Sequence, residues 1–484
     1  MKYFLLFILF FSTANLFAQN PIQAAIDAFS NDAFFKNASI SFMAVDCKTG
    51  EILGSKNPHL SISPASTTKL FSTATAFELL GKDYQPSTRI YIDGTITKDS
   101  VLKGNLWIRG GGDVSLGSRY YNGDGKENEF FYAWADTLKA KGIKRIEGIV
   151  ITDASEFGYE ALPDGWAWGD IGNYYGAGPS GLPIYDNMLR YYFRTGKSAG
   201  QATQLIETFP VIPNLSFHNY ITSRGSGDNS YIYGAPYSYD RFGTGTLGAG
   251  AVRFTVKGSI PDPELQFAQE FSRILKEKGM MKKDSCTSSR NLAKESPSVR
   301  YPSKKLIYTH KGKPLSSVAW WTNMKSVNLF AEEVLCWIGY NESGNGATDK
   351  SLSILSNFWG NKFNTSGFYM NDGSGLSHNN AISAFHFCEL LKYMNSSKNK
   401  EAFYSTLPVA GVSGTVSSVC SNQAGEGRLH MKSGTLKRVK AYAGYVESKS
   451  GKKIAFAIIV NNFNCSSDST VEKMEKVFNV MAIQ

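Results

Sequence analysis

The sequence predicts an α/β domain that is interrupted by a long β-rich insertion, and three observations support this prediction. Strand-like segments lie near both ends of the chain, for example at 39–45 and 439–447, and they are accompanied by helical segments with an apolar stripe. Between about residues 88 and 283 the pattern changes to short apolar runs separated by loops rich in Gly, Tyr and Ser. The length of 484 residues and a hydrophobic content of 42% suffice for more than one core.

The first 18 residues have the character of a secretory signal. Lys2 supplies one positive charge, residues 4–11 are all apolar, and small residues lead to Ala18. The apolar run is too short to span a bilayer comfortably, although an uncleaved anchor is the alternative interpretation. We therefore expect cleavage after Ala18 and export to the periplasm or another extracytoplasmic space.

The N-terminal part of the main domain, residues 19–87, combines two strands with a helix. Segments 39–45 and 51–55 predict strands on either side of a turn at 48–50. A helical stretch opens near Ser63, carries apolar residues at a spacing close to 3.6, and stops at Gly81.

The inserted part, residues 88–303, is predicted to hold the short strands, with uncertain internal boundaries. Its strand-like runs are 89–92, 106–109, 146–151 and 252–256, and residues 285–303 are polar enough to form a surface connection.

The main domain resumes at residues 304–484. Its predicted elements are helices at 325–339, 381–394 and 470–481 and paired strands at 439–447 and 453–461. The last helix is expected to pack on the sheet rather than enter lipid.

The charge distribution and the positions of cysteine and histidine indicate which ligands and partners the chain can bind. The net charge is +10, spread along the chain without a Lys/Arg block, so we expect no nucleic-acid partner. A weak peripheral contact with an anionic membrane surface is the alternative to simple solubility. Six widely spaced cysteines and six histidines form neither CxxC nor HExxH, so we expect no metal and no cofactor. Disulfide pairing and oligomeric state stay open.

A hydroxyl and an amine lie three residues apart where the first helical stretch begins. Residues 66–69 read Ser-Thr-Thr-Lys, which places Ser66 and Lys69 on one face of a helix. A serine needs a neighbouring base to become a nucleophile, and a desolvated lysine can be that base. The same spacing occurs at 100–103 and 397–400, where the context is polar and no helix opens.

Two further motifs follow along the chain, and their order distinguishes residues 66–69 from the other two Ser-x-x-Lys sequences. Ser326-Val327-Asn328 lies at the start of the second apolar-striped helix. Residues 432–435, Lys-Ser-Gly-Thr, precede the strand at 439–447. Similar tripeptides occur elsewhere, but mostly in turns, so the order of helix start, helix start and strand edge is the discriminating feature.

The three motifs in this order resemble those of the serine penicillin-recognising enzymes, and longer segments make the resemblance specific. The segments Pro-Ala-Ser-Thr-Thr-Lys-Leu at 64–70, Trp-Ala-Trp-Gly-Asp at 166–170, Asp-Gly-Ser-Gly-Leu-Ser at 372–377 and Leu-Pro-Val-Ala-Gly-Val-Ser-Gly-Thr at 407–415 are similar to those of peptidase family S13. This is the D-alanyl-D-alanine carboxypeptidase/endopeptidase family, the class C low-molecular-mass penicillin-binding proteins. The resemblance spans nearly the whole mature chain.

The resemblance implies a fold and a set of residue roles. The fold would be a serine β-lactamase/DD-peptidase-like domain, an antiparallel sheet flanked by helices, with extra domains between the first two motifs. Ser66 would form the acyl-enzyme, Lys69 would be its base, and Ser326 would pass a proton to the leaving amine. The substrate would be held by Asn328, Lys432, Ser433, Thr435 and, from the insertion, Asp153.

The family pattern also implies partners. They would be peptidoglycan stem peptides, with β-lactam antibiotics as covalent inhibitors. Val327 and Ser433 depart from the commoner motif residues, but both departures leave the proposed chemistry intact.

Several alternatives accompany these expectations. Asp153 is equally well explained as an acidic residue at a strand end, and Trp166 and Trp168 are interpreted as packing residues. A β-lactamase would need an additional base for deacylation, and no Glu-x-x-Leu-Asn segment supplies one. A catalytically silent wall-binding or β-lactam-sensing protein is the third interpretation, and the intact motif residues argue against it.

Overall fold

A computed structural model describes residues 20–123, 125–295 and 304–484, so the predicted signal lies outside the described residues. The strands, in chain order, are β1 Ser39–Asp46, β2 Ile52–Lys56, β3 Ser87–Ile92, β4 Thr95–Ile96, β5 Val101–Lys103, β6 Leu106–Arg109, β7 Arg145–Ile146, β8 Val150–Asp153, β9 Met188–Arg194, β10 Gln204–Phe209, β11 Ser216–Ser223, β12 Asp228–Tyr233, β13 Asp240–Leu247, β14 Phe254–Ser259, β15 Cys286–Ser288, β16 Lys305–Lys311, β17 Leu429–Leu436, β18 Val439–Glu447 and β19 Lys453–Asn461.

The helices, in chain order, are α1 Pro21–Ser30, α2 Lys69–Leu80, α3 Glu129–Ala140, α4 Trp168–Ile171, α5 Pro263–Glu277, α6 Ser289–Glu295, α7 Leu315–Met324, α8 Asn328–Ser343, α9 Thr348–Gly360, α10 Ala384–Ser396, α11 Lys400–Tyr404 and α12 Ser467–Ala482. Short 3₁₀ turns lie at Ala33–Phe35, Ala65–Thr68, Ser155–Phe157, Tyr174–Gly176, Tyr185–Asn187 and Gly414–Val416.

The main sheet is built from both ends of the chain. Its order is β17-β18-β19-β1-β2, and every neighbouring pair is antiparallel. The central strand β19 is buried along nearly its full length, which agrees with its continuous apolar sequence. Strand β17, which carries the third motif, lies at the edge of the sheet and is therefore accessible to an extended ligand.

Helices cover the two faces of this sheet. One core cluster joins α2, α7, α8 and α10 to one face, and a second cluster joins α1 and α12 to the other. Pro21 follows the N-cap Asn20 of α1, and the Asn20 side chain accepts a hydrogen bond from the backbone N–H of Ile22. The C-terminal helix is thus packed on the sheet, as predicted. No helix in the described ranges is long and apolar enough to cross a membrane.

In its described residues, the inserted segment has its own core and four sheets of three to five strands. Their orders are β15-β8-β6-β3-β16, β10-β9-β14, β11-β13-β12 and β4-β5-β7. Strand β16 pairs with β3, although it follows residue 304 in sequence. We therefore propose that the insertion is bounded by Ser87 and Lys311 rather than by residues 88 and 303.

Three local features of the insertion differ from the sequence prediction. Helices α3 and α5 were not predicted, although Phe267, Phe271 and Ile274 give α5 a buried apolar stripe after its N-cap Asp262. The predicted strand 146–151 is two strands, because β7 pairs with β5 whereas β8 pairs with β6 in a different sheet. Gly148, between them, lies so close to Gly104 that a side chain there would clash with the backbone. Residues 286–295 form β15 and α6 rather than a loop. All six cysteines carry free thiols.

Candidate active site

Ser66 lies in a tight turn that immediately precedes helix α2. Residues 65–68 form a 3₁₀ turn, and Ala65 has a positive φ of 47°, which is unusual for a residue with a side chain. Strand β17 approaches this turn closely at Gly434, where an added Cβ would lie 2.6 Å from the Pro64 carbonyl oxygen. The sequence needs glycine at 434 because the strand and the turn contact each other through their backbones.

Lys69 is fully buried, and its Nζ atom contacts three oxygen atoms. Ser66 Oγ is 3.0 Å away, Asn328 Oδ1 is 2.7 Å away, and the carbonyl oxygen of Ser374 is 2.6 Å away. Carbonyl oxygens can only accept, so they take two N–H groups of the amine. In the neutral amine, the remaining lone pair is then available to the Ser66 hydroxyl.

Burial lowers the pKa of Lys69 to about 7. The charges of Asp372 and Glu332 act in the opposite direction, and the loss of hydration outweighs them. Burial also raises the pKa of Glu332, and the neighbouring Asp372 adds to this effect. A substantial share of Lys69 is therefore neutral near pH 7, the form that can accept a proton.

The second serine–lysine pair consists of Ser326 and Lys432. Lys432 Nζ donates to Ser326 Oγ at 2.9 Å and to the Ser433 carbonyl oxygen at 2.7 Å. Ser326 has a positive φ of 58° just before helix α8, a strained conformation that orients its hydroxyl. Burial, followed by the charges of Lys69 and Lys440, holds the pKa of Lys432 well below its usual value. Burial and the neighbouring positive charges thus disfavour the charged form of Lys432, and an anionic ligand beside it would favour that form.

Asn328, the first residue of α8, links the main domain to the insertion. Its Oδ1 accepts from Lys69, and its Nδ2 donates to the Tyr175 carbonyl oxygen at 2.8 Å. Tyr175 belongs to the insertion, and no short motif points to this contact. The insertion therefore helps to orient a side chain that contacts Lys69.

The edge strand β17 directs alternate backbone groups toward the site. The Leu429 carbonyl accepts from Ala410, and the Met431 N–H donates to Pro408, both outside the sheet. Since backbone groups alternate with a period of two, the N–H of Thr435 points to the same outer edge. The Ser433 hydroxyl lies 2.7 Å from Thr415 Oγ1, and Lys440 Nζ donates to Thr435 Oγ1 at 2.9 Å.

The segment 372–377 supplies contacts that motif analysis did not assign. The carbonyl of Ser374 contacts Lys69, and the N–H groups of Gly373 and Ser374 donate to the buried Glu332 at 2.9 and 2.8 Å. Trp166 Nε1 donates to Asp372 Oδ2 at 2.9 Å, so this tryptophan has a specific hydrogen bond. The Asp-Gly-Ser-Gly sequence at 372–375 was the available signal, but it does not reveal which carbonyl faces the lysine.

The structure places Asp153 apart from these residues. It ends β8, is almost fully buried, and accepts hydrogen bonds from Ser155 Oγ at 2.6 Å and Ser289 Oγ at 3.3 Å. Arg109 lies 3.9 Å from the other carboxylate oxygen of Asp153, and none of these contacts within the described residues reaches Ser66.

Two aromatic residues of the insertion differ in burial. Phe157 is buried in packing contacts. Trp168 packs only in part, because it is 51% exposed and its ring lies beside that of Tyr233.

Comparison with known proteins identifies the family. The sequence model of the D-Ala-D-Ala carboxypeptidase 3 (S13) family matches residues 22–482. A D-alanyl-D-alanine carboxypeptidase from Actinomadura sp. (strain R39) is 27% identical over 455 residues, which are 91% of this chain and 81% of the relative. The D-alanyl-D-alanine carboxypeptidase DacB from Haemophilus influenzae is 23% identical over 443 residues, 89% of this chain and 86% of the relative.

Solved structures give the same fold. The crystal structure of penicillin binding protein 4 (dacB) from Haemophilus influenzae superposes with a TM-score of 0.78 at 20% identity, covering 93% of this chain and 97% of that one. A second structure of that protein, in complex with a β-lactam, has a TM-score of 0.73 at 20% identity, with the same coverage of both chains. The predicted fold class is thereby confirmed. The chain belongs to the D-Ala-D-Ala carboxypeptidase 3 (S13) family and is a serine-type D-Ala-D-Ala carboxypeptidase.

Proposed function

We propose that Ser66 attacks the carbonyl of the penultimate D-alanine of peptidoglycan stem peptides and forms an acyl-enzyme. The observation that supports this proposal most directly is the buried Lys69 amine, 3.0 Å from Ser66 Oγ, with a pKa lowered to about 7. A neutral amine at this distance removes the proton that makes serine a poor nucleophile.

In the acylation step, Ser66 replaces the leaving amine on the carbonyl carbon. The Ser66 Oγ–C bond forms while the hydroxyl proton moves to Lys69 Nζ. The oxyanion that develops on the carbonyl is stabilised by the N–H groups of Ser66 and Thr435, and one such donor is worth roughly 3–4 kcal/mol. The C–N bond then breaks, and the proton that Lys69 accepted passes through Ser326 to the leaving amine, so Lys69 is neutral again. The Ser326 hydroxyl is held by Lys432 at 2.9 Å.

Deacylation returns the site to its starting state. A water molecule attacks the ester carbonyl and gives one proton to the neutral Lys69, and the bond between the carbonyl carbon and Ser66 Oγ breaks. The peptide leaves as a carboxylate, and its second proton goes to solvent. Ser66 Oγ then recovers a proton from Lys69. Carboxypeptidase and endopeptidase activities share this acyl-enzyme and differ only in the leaving amine, so we propose that the same residues perform both.

The peptide carboxylate at the terminus of the substrate is proposed to bind beside Lys432, Ser433 and Thr435. Lys432 is fully buried, and the other charges that act on its pKa are lysines. Burial and the neighbouring lysines disfavour the charged form of this amine, so a carboxylate that binds beside it would restore the charge and be held by it. Ser433 offers a hydroxyl next to this cation, as threonine would.

Ser433→Ala should therefore weaken substrate binding, whereas Ser433→Thr should retain activity. The lost hydrogen bond is one to a charged group, so we expect KM for a D-Ala-D-Ala peptide to rise about tenfold or more. Steady-state kinetics on both variants check this. A fall in kcat with unchanged KM in Ser433→Ala would contradict a role in carboxylate binding.

Incubation with benzylpenicillin tests the nucleophile. We expect an adduct of the mass of the intact antibiotic, and peptide mapping should locate it on Ser66. An unmodified protein with hydrolysed antibiotic would instead indicate a β-lactamase, and an unmodified protein with intact antibiotic would indicate the silent binding protein. Assays on cross-linked and uncross-linked muropeptides then measure the endopeptidase and carboxypeptidase activities.

The same mass measurement tests export. We propose that the chain acts outside the cytoplasm after removal of its first 18 residues, and the N-terminal composition supports this proposal. The intact mass of the protein recovered from its natural compartment should correspond to a chain that begins at Gln19. A mass that includes Met1 would support an uncleaved anchor instead.

A further inference from the structure

One small sheet of the insertion presents an aromatic face to solvent. In the sheet β11-β13-β12, strand β11 runs parallel to β13, and β12 runs antiparallel to it. Ile221, Ile232 and Leu247 point inward and are buried in the core of the insertion. Since side chains alternate along each strand, the intervening residues share the opposite face.

The register places the aromatic residues of this face in two adjacent rows. Phe242 is paired with Tyr233 in one row. In the next row, Thr244 is paired with Tyr220 on one side and with Tyr231 on the other. Tyr220 is 66% exposed and Tyr231 is 50% exposed. These two tyrosines are two strands apart, about 9–10 Å in sheet geometry.

The row of Tyr233 and Phe242 continues from the sheet to helix α4. The rings of Tyr233 and Phe242 are stacked, with centroids 4.8 Å apart and an angle of 9° between their planes. Trp168 lies 6.1 Å from Tyr233. We call Trp168, Tyr220, Tyr231, Tyr233 and Phe242 the aromatic face.

The chemistry of this face suits a carbohydrate better than a folded protein partner. Its exposed apolar groups are flat rings. The Thr244 hydroxyl lies between Tyr220 and Tyr231, and the Asn229 amide lies in the next row beside Tyr231. Aromatic rings bury a large apolar area and retain a preferred stacking geometry. Sugar rings have apolar C–H faces bordered by hydroxyl groups, so they complement such a surface.

The aromatic face is continuous with the catalytic site. Tyr231 and Lys257 line a groove of about 430 Å³, and Tyr174 and Tyr175 form part of its wall. The same two tyrosines line a cavity of about 130 Å³ that also contains Ser326 and Asn328. A polymer bound across the face could thus run past Tyr175, whose carbonyl contacts Asn328.

We propose that the aromatic face binds the glycan strand to which the stem peptide is attached. This inference rests on the proposed function, because that function makes a glycan-linked peptide the substrate. The insertion would then recognise the sugar polymer while the main domain cleaves the peptide. The face would increase the effective concentration of stem peptides near Ser66 without taking part in the chemistry.

The test compares a polymeric substrate with a free peptide. In Tyr220→Ser/Tyr231→Ser, we expect release of D-alanine from intact peptidoglycan at subsaturating concentration to fall about tenfold. Hydrolysis of a synthetic D-Ala-D-Ala peptide without sugars, and acylation by benzylpenicillin, should remain within about twofold of the unsubstituted protein. Phe34→Ala is a matched control, because this ring is also exposed, at 46%, but lies near the C-terminal helix.

A binding measurement separates this inference from the proposed function. The Ser66→Ala protein should co-sediment with peptidoglycan from which an amidase has removed all stem peptides, and the two tyrosine substitutions should abolish that binding. Glycan binding would persist even if the protein hydrolysed no D-Ala-D-Ala substrate. Equal losses on polymer and free peptide, or unchanged binding to the stripped glycan, would overturn the inference.

Discussion

The Ser66→Ala variant is expected to form no adduct with benzylpenicillin and to lose at least about 10⁴-fold in kcat on D-Ala-D-Ala peptides. Removal of a catalytic nucleophile in serine hydrolases has effects of this size or larger, because no other group forms the covalent intermediate. Lys69 cannot replace Ser66, since its Nζ is held by Asn328 and Ser374. Intact-protein mass spectrometry and a D-alanine release assay measure both effects.

The matched control is Ser100→Ala, which removes the serine of a second Ser-x-x-Lys sequence. Ser100 lies in a turn before β5 of the insertion, and we expect its substitution to leave acylation unchanged. The Ser66→Ala protein should also keep its thermal stability, because the lost hydroxyl is partly exposed and contributes one hydrogen bond to Lys69. An adduct in Ser66→Ala at the yield of the unsubstituted protein would exclude Ser66 as the nucleophile.

Much of this site was predictable because its motifs combine local structure with chemistry. Ser66 and Lys69 are neighbours on one turn, so their contact follows from a spacing of three residues. The hairpin of β18 and β19 was likewise predicted with the correct bounds, because both strands are mostly apolar and are separated by a short polar turn.

The remaining contacts depend on tertiary structure, which local patterns do not encode. The Lys432–Ser326 hydrogen bond joins residues from distant parts of the chain, and motif order predicts only that both lie at the site. The Tyr175 carbonyl has no side-chain signature at all. Tryptophan is usually largely buried, yet Trp168 is half exposed because α4 places it beside Tyr233 on the outer face of the sheet. Its function could be considered only after the sheet was known.

Lys69→Met is expected to retain Ser66 and nevertheless lower the acylation rate about 10²- to 10⁴-fold, the usual contribution of a general base. Methionine is unbranched like lysine and only one atom shorter, but it has no amine to accept a proton. Lys103→Met is the matched control, because Lys103 is exposed and belongs to the second Ser-x-x-Lys sequence. Stopped-flow acylation by a chromogenic β-lactam measures the rates. A Lys69→Met rate within a few-fold of the unsubstituted protein would show that another group removes the proton.

The pH dependence follows from the direction of the Lys69 shift. Only the neutral amine accepts a proton, so with a pKa of about 7 the acylation rate should be half-maximal near pH 7 and fall about tenfold per unit at lower pH. Because the folded-state pKa lies below the ordinary value of 10.5, the unfolded chain binds more protons between pH 7 and 10.5. Stability should therefore rise with pH across this window, and Lys69→Met should reduce that slope. An unchanged slope together with a flat acylation profile would mean that Lys69 is not the group that titrates.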